Sequence, residues 1–83
     1  MFEIAFKKSV FKDLKRIDKA VLKRIFDKLE NDLLKRPEDF PELKGKFAGL
    51  RKYRVGDYRV IYAILGQQVL VTRVSHREEA YGL

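Results

Sequence analysis

Leu50-Arg-Lys-Tyr-Arg-Val-Gly-Asp-Tyr-Arg-Val-Ile-Tyr62 decides how this chain folds. Strand-forming residues flank Gly56-Asp57, and glycine at the first central position supplies the positive φ of a two-residue type II′ turn. Such a turn fixes the register. Val55 faces Tyr58, Arg54 faces Arg59, Tyr53 faces Val60 and Lys52 faces Ile61, and opposed residues project from the same side of the sheet. Lys52, Arg54 and Arg59 therefore share a face. Like charges directly opposite each other destabilise a ladder by a few tenths to about 1 kcal/mol, so the pair Arg54 and Arg59 needs an anion or a solvated escape, and a phosphate site is the expected reading. Exposed cations also discourage edge pairing and raise solubility, but charges of both signs would do that equally well. On this hairpin face the signs are not mixed.

Working outward, Phe2, Ile4 and Phe6 alternate with Glu3 and Ala5, the pattern of a short edge strand with one side buried. Ser9 is the expected N-cap of a short helix carrying Val10, Phe11, Leu14 and Ile17, and Asp18 that of a longer one. In the longer helix Leu22, Ile25, Phe26, Leu29 and Leu33 form an apolar stripe, while Lys19, Lys23, Arg24, Lys28 and Lys35 lie mostly off it. Arg36-Pro37 is expected to end it, and 37–49 reads as a loop punctuated by Pro41, Gly45 and Gly49. Beyond the hairpin, Gly66-Gln67 is a second turn of the same kind between strands 58–65 and 68–75. The expected fold is a small α+β domain over residues 1–83, ordered βααβββ, with an antiparallel sheet and two helices packed on one face.

Unbroken alternation through the second hairpin places Leu70, Thr72, Val74 and His76 with Lys52, Arg54 and Arg59. Tyr53, Val55, Tyr58, Val60, Tyr62, Ile64, Val69 and Val71 then line the helix side as core. The cationic face would also carry Ile61, Ala63, Leu65, Leu70 and Val74, an uncovered patch of the kind that marks a partner surface. A slip of one residue in either hairpin would transfer these side chains to the opposite face.

With 83 residues and 46% apolar content, the chain has material for one core and no second domain. A net charge of +7 favours a polyanionic partner: nucleic acid, an acidic protein or an anionic surface. The lack of cysteine removes a disulfide framework and fits a reducing compartment. The lack of a His/Asp cluster removes a structural zinc site, and no cofactor or metal is expected. No signal peptide or membrane span is visible, so a cytoplasmic protein is expected.

The hairpin, Leu43-Lys-Gly before it and Val74-Ser-His-Arg-Glu-Glu-Ala-Tyr81 after it resemble the RelE/ParE superfamily of toxins from type II toxin-antitoxin modules. The βααβββ order matches that fold, so the resemblance spans nearly the whole chain. RelE-like members cut messenger RNA in the ribosomal A site, whereas ParE-like members poison DNA gyrase. For a RelE-like enzyme the resemblance implies that Lys52, Arg54, Arg59, Arg77 and Tyr81 act on the scissile phosphate. His76 stands where many relatives carry a histidine. Some RelE proteins have a further lysine two residues before Lys52, where this chain has Leu50, and Arg51 does not replace it on the same face.

The implied activity is a ribosome-dependent, metal-independent messenger RNA endoribonuclease that inhibits translation. The RNA's own 2′-hydroxyl attacks the adjacent phosphorus, leaving a 2′,3′-cyclic phosphate and a 5′-hydroxyl. The protein must then take up the 2′-OH proton, stabilise the phosphorane and protonate the leaving oxygen. Arg59 and Arg77 suit the second task and Arg54 positions the strand. Lys52, whose ammonium form neighbouring cations disfavour, and His76 are alternative bases. Tyr81 aligns or protonates the leaving oxygen, or stacks on a base. The implied partners are the ribosome, messenger RNA and a cognate antitoxin whose acidic peptide or helix covers the site. The alternatives are a ParE-like gyrase inhibitor and an inactive nucleic-acid- or antitoxin-binding domain.

Overall fold

Two glycine turns are the pivots on which the sheet is built. In the computed structural model, which describes residues 1–77, Gly56 has φ +58° and Gly66 φ +62°, while no described non-glycine residue takes a positive φ. A positive φ at the first central position alone is the signature of the type II′ turn. The elements are β1 (Glu3–Phe6), α1 (Val10–Lys15), α2 (Lys19–Asn31), β2 (Arg51–Val55), β3 (Tyr58–Leu65) and β4 (Gln68–His76). β2 and β3 pair antiparallel in the expected register, from Val55 with Tyr58 through Lys52 with Ile61.

The strands lie in the order β1-β4-β3-β2. β1 takes an edge, as its pattern predicts, but it runs parallel to β4, with Glu3 beside Gln68 and Phe6 beside Val71. The sheet is therefore mixed, and only its β2-β3-β4 meander is antiparallel. The helices return the chain to the end of the sheet from which β1 set out, so β2 repeats the direction of β1. Two tight turns then bring β4 into that same direction.

A second correction concerns β4. Ile61 pairs with Arg73 and Tyr62 with Val71, which leaves Thr72 as an extra residue in a β-bulge. The Thr72 hydroxyl donates to the Ile61 carbonyl at 3.2 Å, engaging the ladder there. Past the bulge the parity of β4 inverts. Val74, expected on the cationic face, is opposite Val60 and only 3% exposed, part of the core.

The core joins Val10 and Ile17, Ile25 and Leu29 of α2, Leu33 from the 3₁₀ turn Leu33–Lys35 that follows it, and the helix-facing side chains Tyr53, Val55, Val60, Tyr62, Val69 and Val71. Phe26 only edges into it, 38% exposed with its ring edge-on to Phe6 at 5.9 Å. Asp18 caps α2 as expected by accepting the Ala20 N–H at 3.1 Å. Ser9 occupies the N-cap position of α1 but makes no side-chain cap bond. Asp13 fastens α1 instead. Its carboxylate accepts the Val74 N–H at 3.0 Å and lies 3.8 Å from Arg73 Nε. β1 pairs with β4 only as far as Val71, so beyond it the edge of β4 needs a substitute acceptor.

α2 stops at Asn31, short of the expected Arg36-Pro37, because Asp32 leaves helical geometry at φ −130°, ψ −63°. Its carboxylate takes the Tyr53 hydroxyl at 2.8 Å and Arg36 Nε at 2.9 Å. The bond from Tyr53, helped by Arg36, holds the Asp32 carboxyl below the usual range. Tyr53 is pushed well up, by burial first and the Asp32 carboxylate second. The segment 37–49, read as loop, contains short 3₁₀ turns at Pro37–Asp39 and Gly45–Phe47. Tyr62 reaches that segment, donating to the Pro37 carbonyl at 2.6 Å, and burial raises its hydroxyl to about 12.

A tyrosine pKa raised on folding marks stability that is complete below the ordinary value near 10 and lost as pH climbs through the folded one. The stability advantage of the native chain over Tyr62→Phe should therefore hold constant up to about pH 10 and close as pH approaches about 12, in urea titrations across that window. Asp13→Ala should cost about 1–3 kcal/mol in the same assay, because the buried Val74 N–H loses its acceptor.

Candidate functional site

The face of the sheet turned away from the core collects the cations. Antiparallel pairing places Arg54, Arg59 and Ser75 side by side across β2, β3 and β4, and one step along it Lys52, Ile61 and Arg73. Neighbouring strands are about 4.8 Å apart, and successive same-face residues on a strand roughly 6.7 Å, so the charges form a tight grid. Arg77 extends the grid beyond β4. Its N–H donates to the Asp57 carbonyl at 2.6 Å, and its Nε lies 3.5 Å from Asp57 Oδ1. Both partners of that ion pair are more than half exposed, so Asp57 holds Arg77 against the turn at little energetic gain.

Lys52, Arg54 and Arg59 share this face in the register that the hairpin turn predicts, and Arg77 lies against Asp57 at the turn end of the sheet. Arg54 is exposed, while Lys52 and Arg59 are half-buried. His76 is not with them. The bulge at Thr72 turns it to the helix side opposite Tyr58, whose ring it meets edge-on at 5.2 Å. Its expected substrate-binding place on the cationic face is thereby corrected. Tyr81 lies outside the described residues.

The same bulge brings in Arg73 and Ser75, which unbroken alternation had sent to the core side. A signal for this was present: valines at 69 and 71 keep period two, but the next is at 74. Ser75 sits beside Arg59 and Arg73 beside Ile61. The expected uncovered patch shrinks accordingly. Val74 is in the core and Ile61 is 1% exposed, leaving Ala63, Leu65 and Leu70, of which Leu65 is 54% exposed. Ile61 has Lys52 and Arg73 as ladder neighbours, and their aliphatic stems are suited to shelter it.

Arg51 shows the reverse side of the parity. It projects toward the helices, donates to the carbonyls of Glu38 at 3.1 Å and Phe40 at 2.6 Å, and pairs with Glu42 at 3.9 Å. It anchors the 37–49 segment and, as expected, does not make good the lysine missing at Leu50. A further cation comes from α2: Arg24 reaches the hairpin turn, with a guanidinium nitrogen 4.0 Å from where a Cβ on Gly56 would stand. Arg24, Lys28, Phe40, Tyr53 and Arg54 line a cleft beside β2.

A mixed sheet with helices on one face and cations on the other defines the class of small basic toxins to which the hairpin sequence points. The family model described as the ParE toxin of the type II toxin-antitoxin system parDE matches residues 4–81, and the chain belongs to this family within the RelE/ParE superfamily. Among solved structures it is similar to the toxin-antitoxin complex RelBE2 of Mycobacterium tuberculosis, with TM-score 0.85 and 26% identity over 92% of this chain and 98% of that one. It is also similar to the archaeal RelE-RelB complex of Pyrococcus horikoshii, with TM-score 0.67 and 30% identity over 95% of this chain and 98% of that one. The isolated Escherichia coli RelE toxin shares the fold, with TM-score 0.77 and 21% identity over 98% of this chain and 89% of that one. No curated protein matches the chain significantly.

Arg54 is the exposed member of a like-charged pair, so its two effects should separate. Arg54→Ala should raise stability by a few tenths of a kcal/mol in urea unfolding. The same substitution should weaken binding to an RNA oligomer and lower the salt slope of that binding by about one.

Proposed function

We propose that this type II toxin is a RelE-like, metal-independent endoribonuclease that cuts messenger RNA on the ribosome in the cytoplasm. The observation that carries this reading is the gathering of Lys52, Arg54, Arg59, Arg73 and Arg77 on one sheet face around paired like charges. Such a face receives a phosphodiester and the further negative charge of its transition state. Arg59 has cationic or polar side chains on both flanks and is the central ligand of the phosphorane. Arg77 provides a second fork from the turn, and Arg54 positions the strand on the exposed side. Lys52, one ladder step away, serves the 2′-hydroxyl as base, and Tyr81 serves the leaving oxygen.

The turning of His76 toward Tyr58 favours Lys52 for the proton transfer. Among the described residues the site has no matched acid and base of complementary strength, so orientation of substrate by the ribosome carries much of the rate. The antitoxin complexes among its structural relatives support a cognate antitoxin for this chain as well. An acidic segment of it would neutralise the same face. The ParE description of the family model favours a second reading, inhibition of gyrase without RNA cleavage.

Mapping messenger 5′ ends in translating extracts with and without the protein separates the two. New ends in the A-site codon support the nuclease; intact messenger with DNA breaks and an SOS response in cells selects the gyrase inhibitor. Arg59→Ala should lower cleavage by roughly 10²–10³ and relieve growth arrest with the domain still folded. Cleavage by that variant at the native rate would sink the assignment.

A further inference from the structure

The two edges of the sheet are treated differently. The outer edge of β2 is covered by its own chain: Lys52 donates its N–H to the Pro41 carbonyl at 3.0 Å, Glu42 bridges to Arg51, and the Leu43 N–H reaches the Leu50 carbonyl at 2.8 Å. Among the described residues the outer edge of β1 has no such cover. Glu3 and Lys7 donate their N–H groups inward, to Gln67 and Val71 carbonyls at 2.8 and 2.9 Å. In a parallel pair this alternation turns the N–H and C=O groups of Ile4 and Phe6 outward. β1 carries neither a proline nor a bulge, two of the devices that protect an edge.

On the helix side this edge adjoins a groove lined by Ile4, Phe6, Phe26, Leu29, Glu30 and Leu34. We infer that β1 is a self-association edge: two copies of the chain pair β1 to β1 antiparallel about a two-fold axis, with Ile4 of one opposite Phe6 of the other, extending the sheet from four strands to eight. Sequence and register select this partner. The outward-facing groups must bond to one another, so the outward residues, which are even-numbered, must pair with even-numbered ones, and three centred registers are available.

Pairing Ile4 with Ile4 sets Glu3 against Ala5, and pairing Phe6 with Phe6 sets Ala5 against Lys7; neither makes a charge pair. Pairing Ile4 with Phe6 sets Glu3 directly against the other copy's Lys7, twice, with Ala5 against Ala5 between them. The two alanines fall at a non-hydrogen-bonded position, where strands approach most closely and small side chains fit. Glu3 and Lys7 are exposed, and neither takes part in an ion pair among the described residues. On the opposite face each copy delivers its Phe6 to the Ile4 wall of the other's groove.

Four backbone hydrogen bonds and a short strand make an interface at the small end of the range, so the dimer is concentration-dependent. The two-fold axis stands normal to the sheet, which puts both cationic faces on the same side of the assembly. The inference stands apart from the proposed activity, since it rests on the opposite edge and on no residue of the site.

Sedimentation equilibrium of the full chain over a loading series into the millimolar range tests it. The native chain should show monomer and dimer in exchange. Glu3→Lys and Lys7→Glu should each weaken association by at least about fivefold, because each turns two attractive cross-strand pairs into repulsive ones. The double variant Glu3→Lys with Lys7→Glu should restore it. Circular dichroism of each variant separates loss of association from loss of fold, since both side chains are exposed and their reversal should leave the spectrum unchanged. A native chain that is monomeric throughout, or a double variant that associates no better than the singles, overturns the inference.

Discussion

Alternation of side chains along β3 is the constraint on which the rest of this molecule depends. β3 is paired on both sides, so each of its residues commits the ladder neighbours on β2 and β4 to the same face. Tyr58, Val60, Tyr62 and Ile64 take Val55, Tyr53, Val74, Val71 and Val69 to the core side. Arg59 and Ile61 take Lys52, Arg54, Arg73 and Ser75 to the other side. Two type II′ turns set the register at which each hairpin starts, and the bulge at Thr72 resets it for the far half of β4. Residue type alone decides little. Arg51 and Arg54 are the same side chain three positions apart, yet one ties down the 37–49 segment and the other lies open among cations.

The hairpin was fully legible in the sequence, since Gly56-Asp57 specifies a turn type and the turn specifies the pairing. The helix stripe was legible through its period, and the Asp18 cap through residue type and place. Other features required knowledge of distant partners. The bulge at Thr72 is local, and the step from Val71 to Val74 announces it, but strict alternation passes over such a step and so puts His76 and Val74 on the wrong face and leaves Arg73 off the cationic one. The parallel pairing of β1 is invisible locally, because it follows from the direction in which the helices return the chain. Asp13 reads as an ordinary helix-surface acid until the unpaired stretch of β4 is known to lie beside it.

The cationic face is assembled from groups that repel one another, and the surrounding structure shows how the fold tolerates it. Among the described residues two carboxylates stand at its margin, Asp13 beside Arg73 and Asp57 beside Arg77, while Arg54 is left in solvent where screening is strongest. Asp13 also bonds the β4 backbone, so the orientation of Arg73 is tied to the docking of α1, and the first helix becomes a support for the face it does not touch from above.

The pairing of β1 with β4 joins residues 3–6 to residues 68–71, nearly the two ends of the chain. During synthesis the first strand emerges long before its partner. Until β4 is released, β1 has no sheet to join, Asp13 has no amide to hold, and neither Arg73 nor Arg77 is in place. Contacts of such long range also slow folding, since much of the chain must be ordered before the closing pair forms. A toxin built on this topology acquires its cationic face only when β4 joins the sheet, so the closing of the fold and the completion of that face are one event.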